Sequence, residues 1–226
     1  MRAHRSSRVA AALVTVLAVG GCGDSSSPGP TPLVIPAFLA VGDEGGFAQI
    51  FRVADSVETN LSMSSSNDIE PRSSAGRIVF STDRDGNAEV YIGDTLLTVS
   101  RRVTHSGAND DRPDIDPTGA TIVFVSDRSG APRLWTLAAP ALDADTTGEP
   151  VALETGSSTA TPEDAPVWSP DGGTIAFSST RTGRSEIFTV AAGGGTATQI
   201  TNEVGGAYTP AWGSDGRTIY FTWTVG

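Results

Sequence analysis

One segment recurs along this chain, and the recurrence constrains the fold more than any other feature. Its clearest copy is APVWSPDGGTIAFSSTRTGRSEIFTV, Ala165 to Val190. Ser169-Pro170-Asp171-Gly172 has turn chemistry: proline presets φ and glycine supplies φ > 0. Thr174 to Phe177 is rich in strand formers, and Ser185 to Val190 alternates polar and apolar with period two. Related units run from Ile69 to Gly93, from Asp111 to Leu137 and from Tyr208 to Trp223. Pro71, Pro113, Pro166 and Pro210 open the units, and Gly76, Gly119, Gly172 and Gly216 sit in the first turns. Phe80, Phe124, Phe177 and Phe221 end the second strands, at intervals of about 44, 53 and 44 residues. Ala138 to Pro150 accounts for the longer interval as an inserted loop. A repeat of this length holding four strands predicts an all-β fold, a β-propeller of four-stranded antiparallel blades.

The S-P-D-G turn, the I-x-F strand, the S-D-R-x-G turn and the E-I-F strand resemble the WD-like propeller repeats of TolB-type periplasmic proteins. The resemblance covers about Phe38 to Gly226, and Arg102 to Gly119 is similar to the link and first strand of such a repeat. It implies a fold, because one fold hosts many functions. TolB-type propellers usually have six blades. This chain holds about 4–5, with the terminal blade shared or incomplete. Phe38 to Ser62 reads as a repeat lacking its first strand, and the last unit supplies only a first and a second strand. The ends are therefore expected to share a blade, or to leave an open propeller that completes itself as a homodimer.

Before the propeller, residues 1–21 read as a signal peptide. Arg2, Arg5 and Arg8 precede the apolar run Val9 to Val19, which is too short to span a membrane. Val19-Gly20-Gly21-Cys22 resembles a bacterial lipobox, which implies acylation of Cys22 and a lipid anchor to the membrane. Gly23 lacks the acidic inner-membrane retention signal, so the resemblance implies the periplasmic side of the outer membrane in a Gram-negative cell envelope. Residues 22–32 are a tether of Ser, Pro and Gly, too poor in apolar area to offset ordering entropy. Residues 33–226 form the propeller domain.

Charge narrows the partners. The chain has 26 acidic and 15 basic residues, and every basic residue is Arg. Such a surface repels phosphate backbones, which speaks against nucleic acid. With His4 in the signal, His105 is the one histidine left, so a histidine-rich metal site is excluded. No G-x-S-x-G nucleophile elbow occurs. The expectation is a protein without cofactor and without catalysis.

In a four-stranded meander, turns between strands two and three share a face with the links between blades. That face collects Arg84, His105, Asp110, Asp111, Arg112, Arg128, Asp164 and Arg181, the candidate binding residues. The opposing reading is that these acids and arginines pair between neighbouring blades and simply hold turns, where exposed pairs contribute about 0–1 kcal/mol each. Asp83, Asp85 and Asn87 place oxygen ligands at alternate positions beside Gly86, which suits calcium, although Asp-Gly-Asn also suits a plain hairpin turn. Together these features predict a lipid-anchored scaffold that binds another envelope protein. A carbohydrate-binding propeller and a degenerate enzyme-associated propeller are the alternatives.

Overall fold

The computed structural model describes residues 37–144 and 148–225. The lipobox cysteine Cys22, the signal peptide and the tether lie outside the described residues. Seventeen strands and no helix make up the described chain. They form five sheets in sequence order, here called blades 1 to 5. Blade 1 holds β1 (Phe38–Glu44), β2 (Phe47–Ala54) and β3 (Val57–Asn60). Blade 2 holds β4 (Asp68–Ser74), β5 (Arg77–Thr82), β6 (Glu89–Asp94) and β7 (Ser100–Arg102). Blade 3 holds β8 (Asp110–Ile115), β9 (Thr121–Ser126), β10 (Arg133–Ala138) and β11 (Val151–Ala152). Blade 4 holds β12 (Glu163–Trp168), β13 (Thr174–Ser179), β14 (Glu186–Ala191) and β15 (Thr198–Gln199). Blade 5 holds β16 (Ala207–Trp212) and β17 (Ile219–Trp223). All pairings are antiparallel meanders.

The turn glycines do what their spacing predicts. Gly76, Gly119, Gly172 and Gly216 all have φ between 63° and 75°, a region closed to most side chains. At Gly119 the backbone also passes close to its neighbour: a Cβ there would stand 2.8 Å from the Cβ of Ala75 in blade 2.

The core is a set of seams between blades. Second strands bury both faces, so they read as continuous apolar runs and not as alternating ones. In β5, Ile78 and Phe80 face blade 1 and pack with Ile50 and Leu61, while Val79 faces blade 3. In β9, Ile122 and Phe124 face blade 2, and Val123 faces blade 4. Ile175 and Phe177 of β13 close the third seam, against Val125, Leu134 and Leu153. Phe80, Phe124 and Phe177 are each at most 1% exposed, which accounts for their periodic recurrence.

One backbone bond fixes the alignment of the repeats. Val103 donates to the Val90 carbonyl, Leu153 to Leu134 and Ile200 to Ile187, each from just beyond the third strand's outer partner. Leu61 donates to Ile50 in the same way, so β1, β2 and β3 are strands two, three and four of blade 1. Among the described residues the first strand of that blade is the one not present, in line with the sequence reading. The inserted loop also falls where expected, between β10 and β11. The ends do not share a blade: β1 and β17 belong to separate sheets, and blades 1 and 5 are both incomplete among the described residues.

Candidate functional site

The first strands β4, β8, β12 and β16 stand side by side along the inside of the arc. Each breaks register in its middle, at Ile69/Arg72, Asp111/Asp114, Asp164/Val167 and Tyr208/Ala211. The break is a bulge built on an X-Pro pair. Glu70, Arg112, Ala165 and Thr209, the residues before the four landmark prolines, have φ of 55°, 50°, 49° and 44°. A left-handed conformation costs a non-glycine residue about 1–2 kcal/mol. The bulge re-aims side chains toward the inside of the arc.

These bulges line a cavity of about 270 Å³ whose walls include Glu70, Arg72, Arg112, Asp164, Ala165, Tyr208 and Thr209. Arg112 reaches across it. Its backbone N–H donates to Glu70 Oε2 at 2.8 Å, and its Nε lies 3.3 Å from Glu70 Oε1. Its Nη1 pairs with Asp164 Oδ1. One guanidinium thus ties blades 2, 3 and 4 together. A second cavity, of about 330 Å³, opens between blades 3 and 4 beside Asp111, Asp127 and Asp164. Burial, followed by the charge of Glu70, pushes the Asp111 carboxyl up to about 6. Asp114, on the same strand, is also pushed up to about 6 by burial, although it accepts bonds from Trp168 N at 2.7 Å and Ile115 N at 3.0 Å.

The sequence-predicted residues divide into two groups. Arg112, Asp111 and Asp164 meet at the cavities. Arg84, Arg128 and Arg181 turn inward. Each pairs with the buried acid that begins the first strand of its own blade: Asp68 at 2.8 Å, Asp110 at 2.6 Å and Glu163 at 2.7 Å. Each guanidinium also lies over two rings, Phe80 and Tyr91, Phe124 and Trp135, or Phe177 and Phe188. This corrects the placement of Arg84, Arg128, Arg181 and Asp110 on a binding face. A buried carboxylate needs a charged partner, and the turn arginine supplies it. The pairing is within a blade, whereas the sequence reading had looked between blades. His105 is exposed on the link between blades 2 and 3, away from the lining of both cavities.

Asp83, Asp85 and Asn87 each spend their side chains on protein partners. Asp83 accepts from Asn67 N and Nδ2, and Asp85 accepts from the Tyr91 hydroxyl at 2.6 Å. Asn87 donates to Glu89, Ser106 and Ala108. Among the described residues no group of three or more His, Cys, Asp or Glu is placed to hold a metal ion. Sequence reasoning missed Glu70, Arg72 and Thr209. The signal was present: all three flank the proline landmarks.

Bulged inner strands around a cavity, with seam packing between four-stranded meanders, define a β-propeller. Residues 150–226 match the family described as TolB beta propeller domain. The described residues as a whole share the propeller fold of solved TolB structures. The fold is similar to a putative TolB from Agrobacterium tumefaciens, with a TM-score of 0.68 and 20% identity over 84% of this chain and 71% of that one. It is similar to TolB from Acinetobacter baumannii, with a TM-score of 0.64 and 17% identity over 77% of this chain and 42% of that one. The chain therefore spans less than half of the Acinetobacter protein. An oligogalacturonate lyase in complex with manganese shares the fold at TM-score 0.58 and 14% identity, over 82% of this chain and 55% of that one. No curated protein sequence matches the chain.

Proposed function

We propose that this protein is a non-catalytic binding scaffold that engages another protein of the cell envelope at its inner-strand cavity. The observation that carries the reading is the ring of four left-handed residues, Glu70, Arg112, Ala165 and Thr209, around one cavity. Strained backbone held by the surrounding structure clusters at ligand clamps and other functional sites. The likeness to TolB-type propellers supports a scaffold role and an envelope location. The lipobox at Cys22 supports attachment to the membrane through a lipid. The cavity falls below the about 300–1,000 Å³ of small-molecule pockets, and it suits side chains of a docked segment.

A glycan-binding role is the second reading, favoured by Tyr208, whose half-exposed ring lines the cavity as a stacking platform. A photo-crosslinking residue in place of Tyr208, in cells that carry the protein, separates the two. The scaffold reading expects a discrete protein adduct from position 208 and none from Val151, on the outer strand β11. Equal adducts at both positions, or none at 208, sink it.

A further inference from the structure

Arg72 is the residue after Pro71 on the blade 2 bulge, and it lines two spaces at once. One is the 270 Å³ cavity. The other is a groove of about 510 Å³ bounded by Phe38, Leu39, Ala40 and Val41 of β1 and by Ile69 to Arg72 of β4. The groove runs between β1 of blade 1 and β4 of blade 2. Among the described residues the inner edge of β1 has no strand beside it.

The Arg72 guanidinium is exposed, and its hydrogen bond goes from Nη1 to the carbonyl of its neighbour Pro71 at 3.2 Å. No carboxylate of the described residues lies within ion-pair distance of it, whereas Arg84, Arg102, Arg112, Arg128, Arg133 and Arg181 each hold one. The acids nearby are engaged elsewhere. Glu70 accepts from Arg112 and from the Ser81 hydroxyl, and Asp114 accepts from two backbone N–H groups and acts on Arg72 only through space. At the corresponding step of the other first strands stand Asp114, Val167 and Ala211. In a chain with 26 acidic residues, a guanidinium that holds no ion pair and lines both spaces is open to an acidic ligand.

We propose that Arg72 receives a carboxylate carried by an extended polypeptide segment of the partner, laid in the groove along β1. The inference rests on the scaffold reading and names the chemistry of its ligand. Glu70, Asp164, Arg72 and Arg112 on the cavity wall cancel in formal charge, while the neighbouring carboxyls of Asp111 and Asp114, both pushed up to about 6, add acid on the blade 3 side. Arginine presents a planar fork that matches a carboxylate in two parallel bonds. The unpaired edge of β1 offers backbone groups to an extended chain.

The test is a titration of the full protein with acetyl-Ser-Val-Glu-Val-Thr-amide and with its Glu-to-Gln counterpart. Calorimetry and the arginine Nε–Hε resonances in nitrogen-resolved NMR are the readouts. The Glu peptide shifts the Arg72 resonance saturably, and the Gln peptide binds about 10- to 100-fold more weakly. Arg72→Ala removes the difference between the peptides, Arg72→Lys restores part of it, and Arg52→Ala, on β2, leaves it unchanged. Equal binding of both peptides overturns the inference. So does an Arg72→Ala protein with unaltered circular dichroism that still prefers the Glu peptide. If trigalacturonate saturates the Arg72 resonance and the Glu peptide does not, the polypeptide source is overturned in favour of a uronate. Adducts at position 208 that persist in Arg72→Ala leave the scaffold reading standing while this inference falls.

Discussion

At the residue scale, the turn arginines show how one side chain solves two problems. Asp68, Asp110 and Glu163 are wholly buried where each first strand begins, and an unpaired buried charge is strongly destabilising. The arginine of the next turn neutralises the acid and covers two aromatic rings of the same blade. The pairs are not equally exposed to loss. Asp110 relies on Arg128, while Glu163 holds both Arg181 and Arg133, the latter at 3.0 Å. Arg128→Ala is therefore expected to cost about 3–5 kcal/mol of stability, and Arg181→Ala distinctly less. Urea unfolding of the two variants at neutral pH measures the difference. Equal losses would mean that ring coverage, common to both, outweighs charge pairing.

At the element scale, β8 is the strand on which the molecule responds to pH. Its Asp111 and Asp114 are both held up near 6, because burial disfavours their charged forms. A carboxyl whose folded value exceeds its unfolded value takes up its proton first in the folded state. Stability from these two groups therefore grows as pH falls from about 7 toward 4, and is absent above the folded value. The turn aspartates Asp94, Asp116, Asp171 and Asp215 act in the opposite sense. Hydrogen bonds from Thr98 to Asp94, from Ser169 to Asp171 and from Arg217 to Asp215 hold those carboxyls below their usual range; for Asp116, bonds from Thr118 and Thr121 outweigh burial. Their contribution is present above the ordinary aspartate range and is lost as pH falls through their lowered values. The expected melting profile has its maximum in mildly acid solution. Asp114→Asn flattens the part between pH 7 and 5 and leaves the acid limb in place. A wild-type melting temperature that falls steadily from pH 7 to 5 would contradict this.

At the scale of the whole molecule, stability is distributed along an arc of seams. The three large apolar clusters lie between blades 1 and 2, 2 and 3, and 3 and 4. Ala176 of β13, small and fully buried, faces blade 5 where β9 offers Val123 to its own neighbour. The exposed aromatics, Phe38, Phe47, Tyr208, Tyr220 and Trp223, all belong to blades 1 and 5. Native-state hydrogen exchange is expected to be slowest in β5, β9 and β13, and fastest in β3 and β17. Protection of β17 equal to that of β13 would show that blade 5 is covered in solution by something that the described chain does not supply.

The sequence by itself determined the repeat, the strand order within each blade, the turn glycines and the incomplete first repeat. These are local: glycine at φ > 0 and apolar residues on second strands depend on the turn and strand in which they sit. Part of the site was legible too, since Arg112, Asp111 and Asp164 came from counting which loops share a face. Only the tertiary structure decided which charges are spent and which are free. Arg84, Arg128 and Arg181 look identical to Arg72 and Arg112 in a list of arginines. What separates them is whether a buried acid lies within reach, and that depends on how each blade lays the start of its first strand against the turn that follows its second. The tertiary structure also decided that the two ends stay in separate sheets, because pairing between β1 and β17 requires a geometry that no local pattern specifies.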